Sequence, residues 1–324
     1  MLSGTRPLPL VAAGARSPGT IPLPQCRAGR NDHPMEHTVN VTPNTRLWAR
    51  TVGDPDASAL LLVMGANAPG VMWPEELVTR LAEHHHVISY DHRDTGRSTH
   101  AFDTEPYAIR DLAGDAVAVL DALDVDRAHV VGMSLGGVLT QLLCLDHAER
   151  LRTATMMNTT ALGSGLASEN GASGGAELPG PSPELLALWE HIAEPRDREA
   201  ELAWRVEHWR LLNGSVLPFD AAAFRRMEEG AVEHSGTHRN AGAHGRASQD
   251  GLERGAELTS VRTPTLVIEA PEDPVNPPPH SAHLARSIPG ARLVTIPGMG
   301  HALNPVIVPR LAEEILGHTT GSVP

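Results

Sequence analysis

Ala128-His129-Val130-Val131-Gly132-Met133-Ser134-Leu135-Gly136-Gly137 predicts a buried strand that turns at a serine into a helix. Val130 and Val131 run into the serine, and Val138, Leu139, Leu142 and Leu143 leave it at helical spacing. Gly132 and Gly136 flank Ser134 where a side chain would collide across a tight strand-to-helix turn, and the strain of that turn holds the hydroxyl out toward a substrate. Ser134 is therefore the candidate nucleophile. The same spacing recurs at Gly171-Ala172-Ser173-Gly174-Gly175, but no apolar strand precedes it and a glycine-rich loop surrounds it, so it reads as a chance match.

A chain of 324 residues, 41% of them hydrophobic, is long enough for one large core with an insertion. The formal charge is -13 and every basic residue is an arginine. That sign, with no basic stripe, argues against nucleic acid and anionic lipid as partners. The longest apolar run, Leu60 to Met64, is far short of the roughly 18 residues of a membrane span, so a soluble, cytoplasmic protein is expected. Cys26 and Cys144 are too few for a disulfide framework, and Cys144 falls on the apolar face of the helix after Ser134. Residues 1–34 are rich in Pro, Gly and Arg, with only Leu8 to Ala15 resembling a short secretory core. They are expected to be a disordered extension, or to precede a functional start at Met35.

Strands are predicted at Thr45 to Val52, Leu60 to Met64, His86 to Tyr90, Ala154 to Met157, Thr265 to Ala270 and Arg292 to Ile296. Helices alternate with them: Trp73 to Leu81, Pro106 to Leu123, the helix after Ser134, and Ile307 to Leu316. The continuous apolar runs indicate strands covered on both faces, and the alternation indicates an α/β, doubly wound, mostly parallel sheet. Between Thr160 and Leu258 the alternation stops. A loop rich in Gly, Ala, Ser and Pro is followed by helical patterns at Leu185 to Ile192 and Ala200 to Leu212. The expected organisation is a core of residues 35–161 and 257–324 with a helical lid inserted at 162–256.

Acyl transfer at a serine requires a base to take its proton and a carboxylate to orient the base. The elbow resembles that of the α/β-hydrolases, and their chain order implies that the acid and then the histidine follow the serine, at strand ends. Asp273, in Glu272-Asp273-Pro274, and His301, in Gly298-Met299-Gly300-His301, occupy those places, with Glu272 the rival acid. The oxyanion needs two backbone donors. Leu135, next after the nucleophile at the positive end of its helix, supplies one, and Ala66, in the loop Gly65-Ala66-Asn67-Ala68-Pro69-Gly70, is chosen for the other. Asn67 either donates from its side chain or simply forms the turn. Asp91-His92-Arg93-Asp94-Thr95-Gly96-Arg97-Ser98 reads as a polar turn that braces loops.

The remaining histidines do not compose a metal site. His234 and His238 are spaced for one helix face, but Gly236 lies between them and nothing of the right spacing converges. No metal and no cofactor is expected. Trp189, Trp204 and Trp209 either pack lid helices together or line a chamber for a flat apolar substrate, and both readings stay open.

Gly132-Met133-Ser134-Leu135-Gly136, Asp273 and Gly298-Met299-Gly300-His301 together resemble the α/β-hydrolase superfamily from Met35 to His318. Within it, Val63-Met64-Gly65-Ala66-Asn67, Tyr90 to Ser98, Asp126 to Gly132 and Val216-Leu217-Pro218-Phe219-Asp220 resemble the anthracycline methylesterases. Thr237 to His244 departs from that pattern. The resemblance implies an α/β-hydrolase fold and a Ser-Asp-His triad that cleaves a methyl ester on a polyketide aglycone. The expectation is a serine hydrolase acting through an acyl-enzyme on a carboxylic ester of a small, largely apolar molecule. Carbon–carbon bond hydrolysis, lactonase or perhydrolase activity on the same triad, and a catalytically slow small-molecule binding protein, are the alternatives.

Overall fold

Alternate side chains of a strand point to opposite faces of its sheet, so a strand covered on both sides is apolar throughout. Leu60 and Leu62 pack with Val87, Val131, Leu266 and Ile268 on one face, and Leu61 and Val63 with Ile88, Val130 and Val267 on the other. In the computed structural model, residues 1, 4, 34–165, 178–239 and 242–321 are described. Residues 31–324 form one compact unit. The Gly171 to Gly175 match, and the 1–34 segment apart from residues 1, 4 and 34, lie outside the described residues.

In chain order the elements are β1 (Met35–Asn40), β2 (Arg46–Val52), β3 (Ala59–Val63), α1 (Glu75–Ala82), β4 (His86–Tyr90), α2 (Asp111–Ala122), β5 (Ala128–Met133), α3 (Leu135–Asp146), β6 (Leu151–Met157), α4 (Pro183–Trp189), α5 (Arg198–Leu212), α6 (Ala221–Ser235), α7 (Ala243–Arg246), β7 (Thr265–Glu269), α8 (His280–Ser287), β8 (Arg292–Thr295) and α9 (Val308–Thr319). The sheet runs β1-β2-β4-β3-β5-β6-β7-β8. β1 pairs antiparallel with β2, and β2 with β4, whereas every pairing from β4 to β8 is parallel. Leu77 and Leu81 of α1 and Leu311 and Ile315 of α9 cover one face. Leu112 of α2, Val138 and Leu139 of α3, and Leu284 of α8 cover the other. The sheet is doubly wound.

The winding reverses between β3 and β5, which lie side by side with Val63 opposite Gly132. In open parallel sheets the loops at such a reversal diverge and leave a crevice beyond the strands' C-terminal ends. Here those loops start at Met64 and Ser134. α4, α5, α6 and α7 interrupt the alternation between β6 and β7.

The helix expected from Pro106 starts only at Asp111. The intervening backbone is used elsewhere: Ile109 N–H donates to Ser248 at 2.8 Å, and Ala108 N–H donates to the Asp111 carboxylate at 2.9 Å. β1, α6, α7 and α8 have no counterpart among the sequence expectations. β1 is an edge strand with only Val39 buried, so its periodicity is faint. α6 is delimited by the Asp220 side chain, which accepts from Ala223 N–H, and by Gly236 at φ 66°.

Candidate active site

Ser134 has φ 55° and ψ −119°, a conformation costing a non-glycine residue about 1–3 kcal/mol unless its surroundings enforce it. They do. Ser134 N–H donates to Met157 at 3.0 Å, and the Thr159 hydroxyl donates to the Ser134 carbonyl at 2.8 Å. A Cβ on Gly132 would run into the Gly136 carbonyl and the Thr140 hydroxyl, and one on Gly136 into the Val63 carbonyl. The sharp turn therefore depends on both glycines. A Cβ on Gly65 would sit 3.7 Å from Ser134 Oγ, so the loop after β3 passes directly beside the hydroxyl.

Because β5, β7 and β8 run parallel, the segments that follow them leave the sheet at one edge. Ser134, Asp273 and His301 lie on those segments. His301 Nδ1 is 2.9 Å from both carboxylate oxygens of Asp273, and both residues are buried. Asp273 Oδ1 also accepts from Val275 N–H at 2.7 Å and Asn276 N–H at 3.0 Å. Burial pushes this carboxyl up, but the His301 charge, its hydrogen bond and the two backbone donors outweigh that and hold it below its ordinary value. An ionised acceptor at Nδ1 keeps the hydrogen there and leaves Nε2 of the neutral ring with its lone pair. Glu272 does not compete, since its carboxylate accepts from the Ser215 hydroxyl at 3.0 Å. The structure thus joins His301 to Asp273. Ser134 Oγ makes no hydrogen bond among the described residues; such bonds often tighten only when substrate binds.

The N–H groups of Ala66 and Leu135 have no partner among the described residues. Asn67 is turned away from them toward α7. At φ 57°, its N–H donates to His244 Nδ1 at 2.9 Å while its side-chain oxygen accepts from His244 N–H at 3.3 Å.

Sequence reasoning missed Asn158. Buried directly after β6, it donates from Nδ2 to Asp273 Oδ2 at 3.1 Å and to the Gly300 carbonyl at 2.8 Å, which ties the acid to the histidine loop. An asparagine ending an apolar strand was the available signal. The polar turn after β4 braces as expected. Asp91 accepts from Gly70 N–H, Arg97 N–H and His234, and Arg93 makes a two-pronged pair with buried Asp115.

The three tryptophans differ. Trp189 and Trp209 pack against Leu185, Leu212, Phe224, Val275 and Ala302, the last two neighbouring Asp273 and His301. Trp189 Nε1 donates to His208 Nε2 at 2.9 Å and Trp209 Nε1 to Glu228 at 2.6 Å. Trp204 carries the Arg196 guanidinium 4.9 Å from its ring centre, and its buried indole N–H has no partner among the described residues. Burial, with the charges of His301 and Arg205, pushes the His208 imidazole down to about 4. His238 bonds the Arg196 carbonyl at 3.2 Å, and no group of three or more His, Cys, Asp or Glu able to hold a metal occurs among the described residues. No helix among them is long and apolar enough to cross a membrane.

Residues 58–306 match the alpha/beta hydrolase fold family. The chain is similar to rhodomycin D methylesterase DnrP of Streptomyces peucetius, with 47% identity over 284 residues that cover 84% of this chain and 94% of the relative. It is equally similar to rhodomycin D methylesterase DauP of Streptomyces sp. strain C5, with the same identity and coverage. Among solved structures, a hydrolase from Pseudomonas aeruginosa PA01 superposes with a TM-score of 0.66 at 27% identity, covering 88% of this chain and 98% of that one.

Proposed function

The chain belongs to the alpha/beta hydrolase fold family, and on that premise we propose that it is a carboxylic ester hydrolase working through an acyl-enzyme on Ser134. The observation that carries the reading is the buried His301–Asp273 pair on the same sheet edge as a serine held at φ 55°. In this mechanism His301 Nε2 takes the Ser134 proton as Oγ attacks the ester carbonyl, while Asp273 steadies the resulting imidazolium. The carbonyl oxygen becomes an oxyanion held by the N–H groups of Ala66 and Leu135, each worth about 2.7–4 kcal/mol in the transition state. His301 then protonates the departing alkoxide, the alcohol leaves, and water repeats the sequence to release the acid and restore Ser134.

The ester proposed is the methyl ester of a flat polycyclic carboxylic acid, with methanol as the leaving alcohol. Two rhodomycin D methylesterases at 47% identity support this choice. The inserted helices support it too: we read 162–256 as a lid whose half-buried Trp204 lies against His208 at 5.4 Å and has an indole N–H with no partner among the described residues. The test incubates the protein with a polycyclic aromatic methyl ester and measures acid and methanol in equal amounts. A fluorophosphonate should label Ser134, and Ser134→Ala should lose both labelling and turnover, the latter by about 10⁴-fold or more. Turnover undiminished in Ser134→Ala sinks the proposal.

A further inference from the structure

We propose that His244, in α7, is a positioning residue for the oxyanion site: it fixes the peptide after Ala66 and thereby aims the Ala66 N–H. The inference rests on the ester-hydrolase reading above and adds a residue to it.

The loop after β3 is tied at Met64 to His92 and at Gly70 to Asp91. It turns at Asn67 with φ 57°, a left-handed conformation that asparagine tolerates better than most side-chain-bearing residues. His244 fixes that turn by a reciprocal clamp. Its Nδ1 accepts the Asn67 N–H at 2.9 Å, and its own backbone N–H donates to the Asn67 side-chain oxygen at 3.3 Å. The ring cannot swivel, because Nε2 donates to the Arg93 carbonyl at 2.9 Å and Arg93 is held in turn by Asp115 at 2.6 Å. On the loop's other side, His92 Nε2 bonds the Met64 carbonyl at 3.0 Å, and its ring meets His244 edge-on at 5.6 Å. The segment Met64-Gly65-Ala66-Asn67 is thus gripped at both ends by buried imidazoles, and the Ala66 N–H between them has no partner among the described residues.

The clamp requires neutral His244, since a proton on Nδ1 would turn the acceptor into a donor facing the Asn67 N–H. Burial, reinforced by His92, pushes this imidazole down to about 3, so the acceptor persists throughout the neutral range. An oxyanion donor acts only when aimed at the position the oxyanion will occupy, and a displacement near 1 Å costs roughly 100-fold.

Two substitutions separate positioning from simple packing. Asparagine places an acceptor oxygen near Nδ1, whereas glutamine reaches the Nε2 position and keeps only the Arg93 bond. With p-nitrophenyl acetate as probe, His244→Asn should keep kcat within about threefold, and His244→Gln should lose kcat roughly 10- to 100-fold with KM nearly unchanged. Equal kcat in the two variants overturns the inference, as does a loss carried by KM. Should His244→Gln not fold, His244→Asn decides alone: retained kcat supports the clamp and lost kcat refutes it. If the unsubstituted protein cleaves no ester, the ester-hydrolase reading itself fails. If it does and His244→Gln matches it, only the clamp fails.

Discussion

The carbonyl oxygen of Leu212 accepts the backbone N–H of His301 at 2.7 Å and also that of Ala302 at 3.0 Å. Leu212 ends α5, so the candidate base hangs from the inserted helices as well as from the sheet. Asn304 extends the attachment, donating to the Asn213 side chain at 2.7 Å and to the Pro218 carbonyl at 2.9 Å. Movement of these helices would therefore be felt at the imidazole.

Gly300 makes this attachment possible, because a Cβ there would run into the carbonyls of Leu212 and Asn213. Gly300→Ala should push the histidine loop off α5 and lower kcat on a small ester by about 100-fold, the usual cost of a displaced catalytic group. Steady-state kinetics beside a melting curve test this, and unchanged kcat would show that the attachment does not position His301.

The acid can be tested against its neighbour. Asp273→Asn should cut turnover by about 10⁴-fold, the loss seen when the orienting carboxylate of a serine triad becomes an amide. Glu272→Gln, which disturbs only the Ser215 contact, should leave turnover near its starting value. Asn158→Ala removes one donor to the carboxylate and should fall between them, about tenfold down. A larger loss from Glu272→Gln than from Asp273→Asn would reassign the acid.

The tryptophans should separate by assay. Trp189→Ala and Trp209→Ala remove rings packed against Leu185, Leu212 and Phe224 and should lower the melting temperature by several degrees, weakening large and small esters alike. Trp204→Ala should raise KM for a polycyclic ester several-fold and spare p-nitrophenyl acetate, with little change in melting. Parallel losses on both esters in Trp204→Ala would make that ring scaffold too.

Stability should fall on the acid side earlier than carboxylates alone would cause. Burial pushes the imidazoles of His208 and His129 down to about 4 in the folded chain, against about 6.5 when unfolded. Between those values the unfolded chain takes up protons that the folded chain refuses. The stabilisation is therefore complete above about 6.5 and is lost as pH falls toward 4. Melting temperatures measured from pH 7.5 to 5.0 should decline, and His129→Gln should flatten the decline. A level profile across that range would count against neutral buried imidazoles.

The sheet and the elbow were legible because their signals are local. Leu60 to Val63 reads as a strand covered on both faces, and Gly132-Met133-Ser134-Leu135-Gly136 holds the whole steric requirement of the turn within five adjacent residues. The chain order implied by the α/β-hydrolase resemblance then led to Asp273 and His301, and parallel strands deliver both following segments to one end of the sheet. Asp273 was chosen from the sequence with Glu272 as its rival; what only tertiary structure shows is that the backbone aims Asp273 at the His301 imidazole and Glu272 at Ser215. Tertiary structure also supplied Asn158, 115 positions from Asp273, and His244, 177 positions from Asn67. A hydrogen bond between groups so far apart in the chain leaves no periodicity and no spacing to read; it exists only once the sheet and the inserted helices have brought the two together.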